Sequence, residues 1–481
     1  MTTEPSNKNN ELRDKLGWKR ENAWNKISGA DKKRLDAYCR EYLEFSNAAK
    51  TEREAFQEAV TAAEEAGFRN LDDISETPGS LKPGAKVYRS CRGKTIMLVQ
   101  IGEKPMTDGL HIVGGHIDAP RLDGKPNPLY EDSELVLIDT HYYGGIKKYQ
   151  WVTMPLAIHG VVIKQNGEKV DIVIGEKDTD PVFCVTDLLP HLGKDQAKKK
   201  LNEGIHGENL NVLFGSVPIP GDQETREAVK LNLLNMLHES YGITEEDFAS
   251  AEIEIVPAGR ARDLGFDRSM MLAYGHDDRI CAYASLRAIL DIEETPAYTS
   301  VVLLCDKEEI GSVGATGMES TFFENTAADL ISRTEKGYSD LKLRRCLEQS
   351  RMLSADVCAA HDPNYPEVSS PNNMAKLNSG IAISKYGGAR GKSHSSDASA
   401  EFMADIRRLF NDSKVVWQTT ELGKVDQGGG GTIAMFLARY GMDVVDCGVP
   451  LLSMHAPWEV AAKLDAYMTY KGYHAFLADK R

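Results

Sequence analysis

The chain has 481 residues, which suits two or three domains, or one large domain that carries an insertion. Hydrophobic residues make up 41% of the chain, so it can bury a sizeable core, and global disorder is excluded. Asp and Glu number 72 against 57 Lys and Arg, which gives a formal net charge of −15. Because an acidic surface repels phosphate groups, a nucleic-acid partner is disfavoured.

Apolar runs and cysteines indicate the environment of the protein. No apolar stretch approaches the roughly 18 residues of a membrane span, and the first residues form no apolar signal segment. The eight cysteines are scattered without a C-x-x-C pair, which is typical of reduced thiols in a long soluble chain. We therefore expect no membrane partner and a cytoplasmic location.

The first predicted elements are helices marked by capping boxes. Ser28 with Asp31 forms one such pattern, and Thr51 with Glu54 forms a second. Apolar residues follow both patterns at helical spacing. We predict that a helix follows each pattern and packs on the core.

Strand-like runs begin at Thr95. TIMLVQIG and LHIVGGHID are short and almost entirely apolar, as expected for strands buried on both faces. Further runs follow at close spacing, around a Lys-rich tract at residues 187–202 that we predict to be helical. After Met271 strands alternate with helices, so the sequence predicts a three-layer α/β sandwich with a largely parallel sheet.

These patterns divide the chain into three parts. Residues 1–119 hold the first helices and the first part of the α/β domain, and residues 266–481 hold its remainder. Residues 120–265, called the insertion below, are richer in alternating strands. We predict an α/β domain that is interrupted by a mostly β insertion.

Five segments carry metal-binding or acidic side chains beside predicted strand ends, where α/β sheets build their crevices. The candidates are His116, Asp277, Glu308 with Glu309, Asp356 and His455. Each has an ordinary structural alternative when it is taken alone, such as a hydrogen-bonding histidine, a solvated acidic turn or a helix N-cap.

Together the candidates match the ligands of two divalent cations. Two histidines and three carboxylates suit a pair of ions such as zinc, with one carboxylate bridging, and Asp118 is placed to orient the imidazole of His116. Two such ions would activate a water and polarise a carbonyl, while the remaining glutamate would pass a proton to the leaving amine. The pattern therefore predicts hydrolysis of an amide bond.

Five blocks of the sequence, in order, resemble those of the M18 aminopeptidase family, which includes aspartyl aminopeptidase and the yeast vacuolar aminopeptidase I. The blocks are VGGHIDAP, the Asp-Asp-Arg at 277–279, DKEEIGSVGATG, SADVCAAHDPNYPE and LLSMHAPWEV, over roughly residues 110–460. The stretch after Glu309 is similar to a bacterial branch of the family. A neutral N-terminal residue such as Leu is therefore an alternative to an acidic one in the substrate.

The resemblance implies a ligand set for two zinc ions per subunit, with cobalt or manganese as alternatives. His116 and Asp356 would bind one ion, Glu309 and His455 would bind the other, and Asp277 would bridge both.

The resemblance also implies roles for residues that bind no metal. Glu308 would be the general base, and Asp118 would support catalysis through His116. His159, in the run MPLAIH, would enter the site of a neighbouring subunit and donate a hydrogen bond to the tetrahedral oxyanion. A histidine packed in the core of a strand is the structural alternative.

Four residues are candidates for contact with the substrate: Lys385, Tyr386, Gly429 and Gly430. Lys385 with Tyr386 matches a family pair near the pocket, and the glycine run would allow close approach of the backbone. A surface lysine and a plain flexible turn are the alternatives. The nearby Asp397 is predicted to be the N-cap of the next helix.

The family forms tetrahedral dodecamers with enclosed sites, so the resemblance implies a homo-oligomer that acts on peptides, with the insertion as its dimerisation domain. Two other functions remain open. One is a dizinc N-acyl amino-acid deacylase or carboxypeptidase, which would use the same ligands. The other is an inactive, shell-forming scaffold, which the complete ligand set disfavours.

Overall fold

The computed structural model describes residues 5–18, 20–221 and 225–480. Its α-helices, in chain order, are α1 (Pro5–Leu16), α2 (Gly29–Ala48), α3 (Glu52–Glu65), α4 (Ala228–Tyr241), α5 (His276–Leu290), α6 (Phe322–Thr334), α7 (Asp340–Gln349), α8 (Ala400–Asp412), α9 (Ala434–Ala438) and α10 (Lys463–Leu477). Within the described ranges, no helix combines the length and hydropathy that crossing a membrane requires.

The strands fall into three groups along the chain. Those before the insertion are β1 (Arg69–Asn70), β2 (Lys86–Cys91), β3 (Thr95–Gln100) and β4 (Leu110–His116). Those of the insertion are β5 (Arg121–Asp132), β6 (Leu135–Tyr143), β7 (Leu156–Ile163), β8 (Lys169–Ile174), β9 (Cys184–Val185), β10 (Val212–Gly215), β11 (Ala251–Pro257) and β12 (Arg262–Leu264). Those after it are β13 (Met270–Ala273), β14 (Thr299–Cys305), β15 (Arg351–Ser354), β16 (Cys358–Ala359), β17 (Ile381–Ser384), β18 (Gly388–Ala389), β19 (Trp417–Thr420), β20 (Gly429–Gly430), β21 (Asp443–Gly448), β22 (Pro450–Leu452) and β23 (Glu459–Ala462).

Nine strands form the largest sheet, in the order β1-β2-β3-β14-β4-β15-β21-β17-β19. The four neighbouring strands β14, β4, β15 and β21 run parallel. Every residue of β14 and β4 is buried, as expected for parallel strands that are covered on both faces. The C-terminal ends of these strands lie along one edge, with Cys305 opposite His116.

Helices cover both faces of this sheet. Val302 and Leu304 of β14 share a core with α5, α8 and α10, whereas Val301 and Leu303 share a second core with α6, α7 and α9. Successive side chains of a strand point to opposite faces, so one apolar strand supplies both cores. The predicted three-layer α/β sandwich is confirmed.

The insertion has a sheet and a core of its own. Its seven strands pair in the order β8-β7-β11-β5-β6-β10-β9, and every pair is antiparallel. The core of this sheet includes the fully buried Trp151, Leu122 and Val256. A five-stranded sheet, β12-β13-β23-β22-β16, joins the end of the insertion to strands that come later in the chain.

The predicted starts of α2 and α3 are confirmed. The Ser28 hydroxyl accepts the backbone N–H of Asp31 at 3.1 Å, immediately before α2. At α3 the capping box is complete, because Thr51 accepts the N–H of Glu54 and the Glu54 carboxylate accepts the N–H of Thr51. Each cap satisfies N–H groups that have no partner within the helix.

Two local predictions are wrong. Residues 187–202 form turns with a single 3-10 turn at Gln196–Lys198, because Pro190 interrupts the tract and its leucines stay exposed rather than forming a buried stripe. The N-cap of α8 is Ser399, whose hydroxyl accepts the N–H of Phe402, and Asp397 is not part of this cap.

Candidate metal centre

The predicted ligand segments meet at one edge of the nine-stranded sheet. His116 is the last residue of β4, while Glu308 and Glu309 follow β14 and Asp356 follows β15, the two neighbours of β4. Asp277 lies at the start of α5, directly after β13. His455 follows β22, which belongs to the same five-stranded sheet as β13.

Asp277 lies at the centre of the cluster, with one histidine beside each of its oxygens. Its Oδ1 is 3.2 Å from Nε2 of His116, and its Oδ2 is 3.2 Å from Nε2 of His455. Asp356 lies on the His116 side, where Oδ1 is 4.0 Å from Nε2 of that ring. Glu309 lies on the other side, where Oε2 is 3.5 Å from Nε2 of His455. One carboxylate is thus shared by two groups of donors.

The donor atoms are arranged for cations. Three groups have ligand atoms that all lie within 4.8 Å of one another: His116 with Asp277 and Asp356, Asp277 with Glu309 and His455, and His116 with Glu308 and Glu309. Nε2 of His116 and Oε1 of Glu309 are buried without a hydrogen-bond partner. Buried polar atoms are normally paired, so these two fit metal ligation, and imidazole with carboxylates is a donor set for zinc.

The hydrogen bonds of the two histidines fix which nitrogen faces the cluster. Nδ1 of His116 lies 3.2 Å from Oδ1 of Asp118, and Nδ1 of His455 lies 3.0 Å from the carbonyl oxygen of Gly145. Both partners are acceptors, so in the neutral rings Nδ1 carries the hydrogen and Nε2 presents its lone pair to the cluster.

Burial and neighbouring charges shift the pKa values of the carboxylates in the cluster. Burial, together with the charges of Asp277 and Asp118, raises the pKa of Glu308 to about 7. Burial and the charge of Asp277 raise the pKa of Glu309 well above its usual value. Burial opposes ionisation of Asp277 as well, but the neighbouring imidazoles of His116 and His455 hold its pKa below its usual range.

A strained turn carries Glu308 and Glu309. Lys307 adopts φ +70° immediately before the 3-10 turn Glu308–Ile310, and Gly311 at φ +97° ends it. The Asp118 carboxylate holds this turn, because Oδ1 accepts the N–H of Glu308 at 3.1 Å and Oδ2 accepts the N–H of Glu309 at 3.2 Å. Asp118 therefore touches both the His116 ring and the turn with the glutamates.

Two further carboxylates hold the backbone of the predicted ligands, and neither was predicted from the sequence. Glu459 accepts the N–H of Asp277 at 3.0 Å and that of His455 at 2.7 Å. Asp278 accepts the N–H of His116 at 3.3 Å. Both lie inside the motif blocks, and their burial, at 1% and 0% exposed, is the signal that only a structure supplies.

A cavity of about 480 Å³ opens beside the cluster. Asp277, Glu308, Glu309, Asp356 and His455 line it, together with the predicted substrate residues Tyr386, Gly429 and Gly430. The two glycines form β20, which pairs with β18. The loops around these strands are therefore the wall that faces the cluster.

Lys385, the fourth predicted substrate residue, has a different environment. Its ammonium lies 2.6 Å from Oδ1 of Asp397, and Lys392 pairs with the other oxygen at 3.1 Å. Tyr386 donates its hydroxyl to Glu421 at 3.0 Å. Two lysines thus share the single carboxylate of Asp397, so this group keeps a net positive charge.

The structure does not bring His159 to the cluster of its own chain. The residue lies on β7, where its side chain is 3% exposed, with Nδ1 2.7 Å from Glu54 and Nε2 3.1 Å from Glu176. Both ring nitrogens are therefore engaged by carboxylates at the boundary between α3 and the insertion.

An α/β sandwich with such a cluster at its strand ends is the architecture of a metal-dependent hydrolase. The family model described as "Aminopeptidase I zinc metalloprotease (M18)" matches residues 45–477. The chain belongs to the M18 family of metallo-aminopeptidases. This result favours aminopeptidase activity over the deacylase, carboxypeptidase and scaffold alternatives.

The relatives match the chain over almost its whole length. A probable M18 family aminopeptidase 1 of Clostridium acetobutylicum is 54% identical over 456 residues, which are 95% of this chain and 97% of the relative. The corresponding protein of Thermotoga maritima is 46% identical over 458 residues, which are 95% of this chain and 98% of the relative.

Solved structures match the fold closely. The crystal structure of an M18 family aminopeptidase from Thermotoga maritima matches with a TM-score of 0.90 at 45% identity, over 96% of this chain and 99% of that one. That of aminopeptidase I from Clostridium acetobutylicum matches with a TM-score of 0.90 at 50% identity, over 96% and 100%. The S. cerevisiae mApe1 dodecamer shares the fold at 22% identity, with a TM-score of 0.73, over 92% and 97%.

Proposed function

We propose that this protein removes the N-terminal residue of peptides with two zinc ions per subunit, and that Glu308 is the general base. The observation that carries the proposal is the position of Asp277, which has one histidine 3.2 Å from each of its oxygens. A carboxylate in that position suits a ligand shared by two ions. Cobalt or manganese would suit the same donors.

The donor groups support a division of the ligands between two ions. His116 and Asp356 would hold one ion, Glu309 and His455 would hold the other, and Asp277 would belong to both, which matches two of the three donor groups. When bound, the two ions would supply Lewis acidity toward the peptide carbonyl and acidify the attacking water.

Glu308 would transfer the proton from the attacking water to the leaving amine. Its Oε2 is 3.8 Å from Nε2 of His116, and the residue lines the cavity, so its carboxylate reaches the space where a substrate would lie. It would accept a proton from the attacking water and deliver it to the leaving amine. Its backbone bond to Asp118 supports a fixed position for this carboxylate.

The loops across the cavity would contact the peptide. Tyr386, Gly429 and Gly430 line the cavity, and the glycines leave room for a substrate backbone. Lys385 and Lys392 share the single carboxylate of Asp397, and Lys392 lines the cavity, so the net positive charge would suit an acidic N-terminal residue as well as a neutral one.

We also propose a homo-oligomer, a tetrahedral dodecamer by resemblance to the family, in a cytoplasmic setting that suits eight free cysteines. The insertion supports assembly, because Leu192, Leu201 and Val217 expose 66% or more of their surface. His159 would enter a neighbouring site only after its ring left Glu54 and Glu176. A fully active monomer in light scattering would contradict both the assembly and this role.

Replacement of the base tests the mechanism. Glu308→Gln should lower kcat on aminoacyl-p-nitroanilides by roughly 10²–10⁴-fold, because the proton acceptor is lost. Elemental analysis should still find about two zinc ions per subunit, since Glu308 is not in the ligand set. Glu319→Gln, a change at a surface ion pair, is the control and should behave as wild type. Unchanged turnover of Glu308→Gln would refute the assignment of the base.

A further inference from the structure

The end of β6 brings the insertion to the metal centre of its own chain. Three consecutive residues, Tyr143, Gly144 and Gly145, each contact a different part of the cluster. We propose that this segment, called the YGG segment below, positions the metal centre, and that Tyr143 is its main positioning residue. The inference rests on the proposed dizinc function.

Tyr143 completes the hydrogen bonds of Asp118. The Tyr143 hydroxyl donates to Oδ2 of Asp118 at 2.8 Å, and the N–H of Glu309 donates to the same oxygen. Oδ1 takes the N–H of Glu308 and faces Nδ1 of His116. A carboxylate offers about four acceptor positions, so this fully buried one is saturated only when Tyr143 is present.

The Tyr143 ring is itself held in place. The Arg121 guanidinium lies 4.0 Å from the ring centroid, and Arg121 is fixed by ion pairs to Glu52, Asp123 and Glu254. The hydroxyl therefore reaches Asp118 from a rigid support that belongs to the insertion and to α3.

The two glycines reach the other side of the cluster. Gly144 adopts φ +76°, which other residues rarely adopt, and a Cβ built there would lie 3.3 Å from Oε2 of Glu309, so a larger residue would be strained and would crowd this carboxylate. The Gly145 carbonyl accepts from Nδ1 of His455 and so directs Nε2 toward Asp277. The YGG segment thus contacts residues on both sides of Asp277.

These contacts make the insertion part of the active centre. Groups that orient metal ligands affect metal affinity and activity although they bind no metal. Loss of the Tyr143 hydroxyl leaves Oδ2 of Asp118 with a single donor, so Asp118 loses part of its hold on the His116 ring and on the turn with Glu308. Retention of the ring keeps the packing under Arg121.

The test compares Tyr143→Phe with Tyr142→Phe in the full-length zinc enzyme. Tyr142 is the preceding residue of β6, is 42% exposed and serves as the matched control. For Tyr143→Phe we expect kcat, zinc affinity or both to fall roughly 10–100-fold, with little change in KM. Zinc affinity is measured by competition with a colorimetric chelator, and the melting temperature of the metal-free protein is measured in parallel.

The outcomes separate positioning from simple stability. A fall in kcat or zinc affinity at an unchanged melting temperature of the metal-free protein supports the proposal. Wild-type values for both, or a loss that accompanies a lower melting temperature of the metal-free protein, overturn it. A wild-type enzyme without metal-dependent activity would instead show that the proposed dizinc function fails.

Discussion

Two clusters of charged, largely buried side chains are balanced in opposite ways. In the candidate metal centre four carboxylates, of Asp277, Glu308, Glu309 and Asp356, have His116 and His455 as their only ion-pair partners in the part of the chain that the structure describes. The second cluster, called the junction cluster below, lies where α3 meets the insertion. Its members are Glu52, Arg53, Lys94, Arg121, Asp123, Glu252 and Glu254.

The junction cluster supplies its own cations. Arg121 pairs with three of its carboxylates at 2.7–3.3 Å, and Lys94 pairs with Glu52 at 2.9 Å and with Glu252 at 3.0 Å. The candidate metal centre has no lysine or arginine among these partners, so cations from outside the chain would balance its negative charge. Burial of charge alone therefore does not identify a functional site, whereas the missing countercharge does.

The sharpest test of this contrast removes Asp277, the proposed shared ligand. Asp277→Asn should abolish zinc-dependent activity, with a loss well beyond the roughly 100-fold that follows when a supporting hydrogen bond is removed. Elemental analysis should find zinc depleted, and zinc should no longer raise the urea midpoint. The metal-free protein should unfold within about 1 kcal/mol of wild type, a common range for single changes. Wild-type zinc content would contradict a bridging ligand.

Replacement of Arg121, the central cation of the junction cluster, should instead lower the stability of the fold. Arg121→Met leaves Glu254 buried without its ion-pair partner and Glu52 with Lys94 alone, so the free energy of unfolding should fall by about 3–5 kcal/mol even in chelator-treated protein. Arg260→Met breaks an exposed pair with Glu44 and should cost only about 0–1 kcal/mol. Urea denaturation measures both variants, and equal costs would remove the distinction between the two arginines.

The smallest expected effect is the dependence of stability on acid. Burial disfavours ionised Glu52, but the charges of Arg121 and Lys94 outweigh it and hold the pKa of Glu52 at about 2, below its ordinary 4.5. The unfolded chain then binds the proton more readily, so the stability from Glu52 is present above about pH 4.5 and is lost as the pH falls toward 2.

Urea denaturation of chelator-treated wild type between pH 6 and 3 measures this loss, which should not exceed roughly 3 kcal/mol for Glu52. Arg121→Met should show a shallower fall, because Glu52 then titrates closer to its ordinary range. An equally steep fall in both proteins would mean that other groups cause the acid sensitivity.

Much of the fold could be predicted because its signals are local. Continuous apolar runs gave β4 and β14, and side-chain capping patterns marked the starts of α2 and α3. The prediction of a helix at 187–202 was wrong because the composition of the tract suits a helix but its leucines bury no common face. Asp397 was assigned as a cap because it precedes a helix, but two lysines bind its carboxylate and Ser399 caps instead.

The site was predictable to the extent that its residues follow strands. Parallel strands bring their ends together, so His116, Glu309 and Asp356 could be expected near one another from sequence order alone. The YGG segment and Glu459 could not be found in this way. Tyr143 comes from a different sheet, and Glu459 acts on the backbone N–H groups of distant residues, which leaves no spacing pattern in the sequence.

His116 and Asp277 stand 3.2 Å apart in space and 161 positions apart in the chain, on either side of the insertion. A cation held by both would act as a clasp that closes this long loop, much as a covalent cross-link does. The entropy lost on closing a loop grows only with the logarithm of its length. Polypeptide could therefore be added to or removed from the tips of the insertion at small thermodynamic cost, provided that the two ends of the loop still meet at the clasp.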